Sequence, residues 1–72
     1  MTPTELQIKR IAIGLELKKS RLKLLLTQTD LEKLSGLSRT TISKLEGAWG
    51  PTMLDSLIIY QHTIANYNPP TT

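Results

Sequence analysis

Residues 35–43, SGLSRTTIS, set an arginine and four hydroxyl side chains just beyond a glycine, and Lys44 follows. A guanidinium is a rigid fork of N–H donors, and a hydroxyl both donates and accepts. These are groups for recognition by hydrogen bonding. Covalent chemistry would need a different set. The chain has no Ser–His–Asp arrangement, no paired-carboxylate motif and no glycine-rich phosphate loop. His62 is the single histidine and there is no cysteine. The sequence therefore offers neither a metal-ligand cluster nor a disulfide framework, and the lack of cysteine suits a reducing compartment. No enzyme activity, metal or cofactor is expected, and His62 reads as a helix-surface or satisfied, partly buried residue.

Charge placement narrows the choice of partner. All nine Lys and Arg lie between Lys9 and Lys44, together with four of the six acids, so residues 1–44 carry +5. Residues 45–72 hold only Glu46 and Asp55, for −2. A basic N-terminal two-thirds is compatible with nucleic acid; Lys-rich solvated helix faces account for it equally well. The longest apolar runs are LLL at 24–26 and LII at 57–59, far short of the roughly 18 residues a membrane span needs. MTPTELQIKR lacks the apolar segment of a signal peptide. With 72 residues the ceiling is one domain, whose small core makes assembly with a partner plausible.

The recognition residues need helices to hold them. Thr2-Pro3-Thr4-Glu5 is a helix start, with Thr2 as cap, Pro3 in the first turn and Glu5 at the capping-box position. That helix runs without a strong breaker to about Leu26, with Gly14 as its one weak spot. Leu6, Ile13, Leu17 and Leu24 share one side, and Ile8, Ile11, Leu15 and Leu22 share nearly the opposite one. Two apolar stripes imply burial on two sides, either under the remaining helices or against another chain. Thr27-x-x-Asp30 opens a second helix, in which Leu31 and Leu34 point one way. Gly36 supplies a left-handed turn, Leu37 is an apolar plug, and Ser38 caps a third helix with Ile42 and Leu45 as its buried pair. Residues 46–51 read as a loop, on which Trp49 is a hydrophobic cap or, if exposed, an interface residue. Thr52-x-x-Asp55 starts a fourth helix with Leu54, Leu57, Ile58 and Ile64 in the core. The tail at 67–72 is expected to be flexible, leaving 1–66 as the domain.

Two short helices around a glycine turn, with Leu31, Gly36, Leu37, Ile42 and Leu45 at these spacings, form the helix-turn-helix arrangement, here at residues 28–46. Residues 13–60 resemble the XRE family, the phage repressor and Cro group. The run RLKLLLTQTDLEKLSGLSRTTISKLE, residues 21–46, carries the resemblance. Gln28, Leu31, Gly36, Leu37, Ser38, Ile42, Leu45 and Glu46 fall where the family pattern expects them. The resemblance implies an all-α, lambda-repressor-like domain of four or five helices whose third helix enters the major groove of operator DNA. By position it assigns DNA contacts to Gln28, Ser38, Arg39, Thr40, Ser43 and Lys44. Arg39 would fork onto guanine O6 and N7, and Thr40 would meet a base edge or thymine methyl. Ser43 and Lys44 would reach bases or phosphates. Gln28 would sit at a helix start that favours phosphate. Thr41, by contrast, is expected to be partly buried.

Three departures shape the expectation. Glu32 stands where the family usually has a small residue, so it must tilt outward, pair with a cation or loosen the unit. Leu25 takes the place of a common glycine, and the strain of a leucine at positive φ suggests a different loop there. The chain stops after a fourth helix where many relatives add a fifth, which puts self-dimerisation on palindromic DNA in doubt. A short chain of this kind resembles the lysis–lysogeny switch proteins of temperate phages, acting in a bacterial host cytoplasm. These include Cro-like regulators and antirepressors that modulate a phage repressor by binding it. The second kind would use Ile8, Ile11, Leu15 and Trp49 as a protein interface, and the oligomeric state stays open between the two.

Overall fold

Four helices, with no strand among the described residues, make up the computed structural model, which describes residues 1–49 and 53–69. They are α1 (Pro3–Lys23), α2 (Gln28–Ser35), α3 (Arg39–Gly47) and α4 (Leu54–Ala65). This is the all-α, four-helix arrangement expected.

The starts of the first three helices are written in local hydrogen bonds. The Thr2 hydroxyl accepts from the Glu5 N–H at 3.1 Å and donates to the Glu5 carboxylate at 3.1 Å. In α2 the capping box is reciprocal: Asp30 N–H donates to Thr27 Oγ1 at 3.0 Å, and Thr27 N–H donates to Asp30 Oδ2 at 2.9 Å. That backbone donor holds the exposed Asp30 carboxyl below its ordinary range. Ser38 Oγ accepts from Thr41 N–H at 3.1 Å and starts α3. Gly36 closes α2 at φ 77°. The Thr52 cap expected for α4 lies outside the described residues, and Met53, at its N-cap, makes no side-chain cap bond.

Two boundaries differ from the sequence reading. Helix α1 ends at Lys23, because Leu25 adopts φ 60°; the leucine keeps the left-handed turn rather than changing the loop. Its side chain is 89% exposed, so the strain, ~1–2 kcal/mol for a non-glycine residue, brings no burial with it. Glu46 and Gly47 belong to α3, not to a loop, and the residue that ends that helix in a left-handed conformation is Ala48, at φ 57°.

The core is Leu17, Leu31, Ile42, Leu45 and Tyr60, with Leu37, Leu57 and Ile64 packed against it. Leu34, Leu54 and Ile58, expected inside, are exposed. Helix α2 buries Leu31 alone, and α4 turns its Leu57–Tyr60–Ile64 stripe inward instead. Gly14 is a contact point rather than a weak spot. A Cβ there would lie 2.6 Å from the Glu46 carbonyl oxygen and 2.7 Å from that of Leu45, so α3 approaches α1 backbone to backbone.

Neither apolar stripe of α1 is covered as a whole. Leu17 is buried and Leu24 half-buried, but Leu6, Ile8, Ile11, Ile13, Leu15 and Leu22 are exposed. At 1.5 Å per residue α1 is about 31 Å long, too long for a core of this size to cover. Its first turns overhang, held at Gln7, whose Nε2 donates to the Ala48 carbonyl at 3.4 Å. Past α4, Tyr67 is half-buried; residues 70–72 of the expected tail lie outside the described residues.

Candidate nucleic-acid interface

Helix α3 presents two chemically different faces. Ile42 and Leu45 point into the core. Arg39, Thr40, Ser43 and Lys44 fall, at 100° per residue, on the opposite side. Arg39, Thr40 and Lys44 are exposed, as is Ser38 at the helix start; Ser43 is half-buried at the edge. Among the described residues the only ion pair lies elsewhere, between Arg21 and Glu46, so the guanidinium and ammonium of this face meet no carboxylate. The Ser38 hydroxyl is engaged, accepting from Thr41 N–H and sharing a 2.8 Å hydrogen bond with Thr41 Oγ1. Thr41 is half-buried as expected.

Gln28 lies apart from that face in its bonding. Its Nε2 donates to Glu46 Oε1 at 3.2 Å and its side chain is half-buried. The amide is thereby drawn into a polar cluster that pins α1, α2, α3 and α4 together. Arg21 is 5% exposed. Its Nε donates to Glu46 Oε2 at 2.7 Å and its Nη2 to Oε1 at 3.0 Å, a bidentate pair. Its Nη1 donates to the Leu26 carbonyl at 2.7 Å and so fixes the turn leading into α2. Tyr60 donates to Glu46 Oε2 at 2.6 Å, with the Leu17 carbonyl 3.1 Å away. Burial pushes the Glu46 carboxyl up, but the hydrogen bonds from Arg21, Tyr60 and Gln28 outweigh it and hold the group below its ordinary value. The same carboxylate raises Arg21 through its hydrogen bond. Burial, and then Glu46, raise Tyr60. Among the described residues no buried side-chain polar atom lacks a partner.

Residues 17–46, which hold Arg21, Gln28 and Glu46 of this cluster and all but the last residue of the two short helices, match the family model described as Helix-turn-helix. The match is to the XRE-type helix-turn-helix and covers less than half of the chain. That family is one of DNA-binding transcription regulators. No curated protein and no solved structure matches the chain.

Within the helix-turn-helix, Glu32 resolves one of the departures. Its Oε2 accepts from the Arg39 backbone N–H at 2.9 Å. The carboxylate spans the turn and occupies a free N–H at the start of α3, where the helix dipole favours negative charge. It ties α2 to α3 by a hydrogen bond where a small residue would do so by packing.

The residues singled out for protein contact are on the surface. Ile8 is 61%, Ile11 51% and Leu15 50% exposed. Trp49 is 64% exposed, so it does not cap a buried loop; its indole lies over Gly47, where a side chain would meet Nε1 at 2.6 Å. His62 is exposed on α4 beside Asn66. Among the described residues no cluster of His, Cys, Asp or Glu could hold a metal ion, and no helix is long and apolar enough to cross a membrane.

The cluster behind α3 escaped the sequence reading, although signals for it existed. Arg21 continues the face of Gly14 and Leu17 at helical spacing, and Tyr60 sits midway in the stripe of Leu57 and Ile64. A charged or hydroxylated side chain in an apolar stripe marks a buried polar partner somewhere else in the chain. Only the fold says which.

Proposed function

We propose that the chain is a transcription regulator that inserts α3 into the major groove of operator DNA. The observation that carries this reading is the outward face of α3, where Arg39, Thr40 and Lys44 are exposed on a helix held by its buried face. Arg39 suits a guanine edge and Thr40 a base edge or methyl group, while Ser38, Ser43 and Lys44 suit bases and phosphates. Gln28 contributes by bracing α2 through Glu46, and its remaining amide oxygen and position leave it next to the approach of the backbone. The net +5 of residues 1–44 supports attraction to phosphate. On the resemblance of residues 21–46 to the repressor and Cro group, the regulated promoters are those of a phage-type genetic switch.

The test is binding to a selected operator and to a scrambled duplex across a salt series. Affinity for both should fall steeply with salt. Arg39→Ala should weaken operator binding by ~1–3 kcal/mol and the scrambled duplex far less. Equal small losses on both would restrict Arg39 to phosphate contact.

A second reading, an antirepressor that docks on a partner phage repressor, draws on the exposed Ile8, Ile11, Leu15 and Trp49. It requires a complex with that repressor that survives salt. The charge pattern along α1 favours a different occupant for this face.

A further inference from the structure

The exposed stripe of α1 has a repeat. Thr4, Ile8, Ile11, Leu15, Lys18 and Leu22 are separated alternately by four and three residues, the a/d spacing of a coiled coil. Ile8, Leu15 and Leu22 take the a positions, and Thr4, Ile11 and Lys18 the d positions. All six are exposed, while the helix's other side carries Gly14, Leu17 and Arg21 into the domain. The helix is 21 residues long, enough for three heptads. A globular surface helix does not need a seam of this period, and apolar residues sharing one exposed stripe mark an interaction surface.

We propose that this seam binds the same seam of a second copy, antiparallel, giving a two-fold symmetric dimer. Charge decides both the occupant and the direction. In an antiparallel pair centred near Ile13, Ile11 faces Leu15 of the second copy, Ile8 faces its Lys18, and Thr4 faces its Leu22. The flanking e positions are Glu5, Ala12 and Lys19. In that register the Glu5 of each copy faces the Lys19 of the other, twice by symmetry, and the ammonium of Lys18 can reach the same carboxylate beyond Ile8. A parallel pair does the opposite. It stacks Lys18 on Lys18 within the seam and leaves Glu5 with no cation, so the one polar d position selects against it. The seam is thus complementary to itself in one direction only. This interface uses no residue of the proposed DNA-contacting face.

The experiment is sedimentation equilibrium of the full chain and its variants. The parent should be dimeric. Glu5→Lys and Lys19→Glu should each weaken dimerisation, roughly five- to tenfold for two symmetric pairs. The double variant, with both charges exchanged, should return to within about twofold of the parent. Both side chains are exposed, and restoration by the double variant separates an interface effect from helix fraying at Glu5. Because the chain has no cysteine, direction can be read by oxidation of single-cysteine variants. Ala12→Cys, next to the two-fold axis, should cross-link to itself, and Ile8→Cys, about 15 Å from its mate along the axis, should not. A parent that stays monomeric to millimolar concentration, a double variant weaker than either single one, or cross-linking through Ile8→Cys in place of Ala12→Cys would each overturn the proposal. Monomeric behaviour combined with binding to a phage-type repressor would give the face to that partner instead.

Discussion

Arg21 and Ile8 lie on one helix and have exchanged the places their polarity suggests. The arginine is 5% exposed and the isoleucine 61%. The difference is in what each half of α1 meets. The C-terminal half packs against α3 and α4; there Glu46, itself held by Tyr60, pairs with the guanidinium, and the Leu26 carbonyl takes its remaining Nη1 donor. The N-terminal half runs past the end of that core, and apart from the half-buried Arg10 its residues are exposed whatever their chemistry. Burial here follows reach and partners, with polarity second. The buried side of the C-terminal half fixes the helix-turn-helix, and the exposed side of α1, from Ile8 through Leu15 to Leu22, leaves an apolar seam unused by the monomer.

The largest test of that contrast is to remove the anion from the buried half. Glu46→Ala strands Arg21 and Tyr60 in the core and should cost ~3–5 kcal/mol, enough to unfold much of a domain this size at room temperature. Chemical denaturation would measure it. A loss below ~1 kcal/mol would mean that the cluster is solvated and the contrast between the halves is false.

Acid should act on the same carboxylate more gently. Glu46 is held below its ordinary value in the folded chain, so its contribution is complete above the unfolded value, near 4.5, and is lost as pH falls through the lower folded value. Tyr60 is raised, so its contribution is complete below about 10 and fades as pH rises beyond. Stability measured against pH should plateau between about pH 5 and 9 and fall on both sides. In Glu46→Gln the acid limb should flatten relative to the parent.

The turns offer a smaller effect of known sign. Gly36 sits at φ 77°, and a Cβ added there would meet nothing within 4 Å. Gly36→Val should therefore cost ~1–2 kcal/mol from backbone strain alone, with β-branching adding to it. Leu25, at φ 60° and almost fully exposed, is the mirror case. Leu25→Gly should leave stability equal or raise it by up to about 1 kcal/mol. The thermal melt of Gly36→Val should fall, and that of Leu25→Gly should stay level or rise.

The smallest effect belongs to the overhanging half. Ile11→Ser, measured at a dilution where the chain is monomeric, should change stability by no more than ~0.5 kcal/mol. A loss of several kcal/mol would place Ile11 in a core and erase the comparison altogether.

Much of the local architecture is legible in the order of residues alone. Thr27 with Asp30, Gly36 and Ser38 mark the boundaries of α2 and α3 through bonds made within four residues, and those caps are present as read. The outward set Ser38, Arg39, Thr40 and Lys44 follows from helical spacing once Ile42 and Leu45 are turned inward. Less is legible where short helices offer ambiguous stripes. Leu34, Leu54 and Ile58 are apolar at helical spacing and still lie outside, while Tyr60 takes the place that Leu54 and Ile58 were expected to fill.

By itself the sequence determined the four helices, the N-caps of the first three, the turn at Gly36 and the absence of a long apolar span, because each depends on neighbours a few residues apart. Only the tertiary structure decided that α1 is covered along Gly14, Leu17 and Arg21 and along neither apolar stripe, that Glu32 caps α3, that Gly14 is a helix–helix contact and that Arg21, Gln28, Glu46 and Tyr60 meet. Those outcomes turn on distances between segments up to 43 residues apart, and on how far a 21-residue helix extends beyond a core of five buried residues. Spacing along one helix carries no information about either.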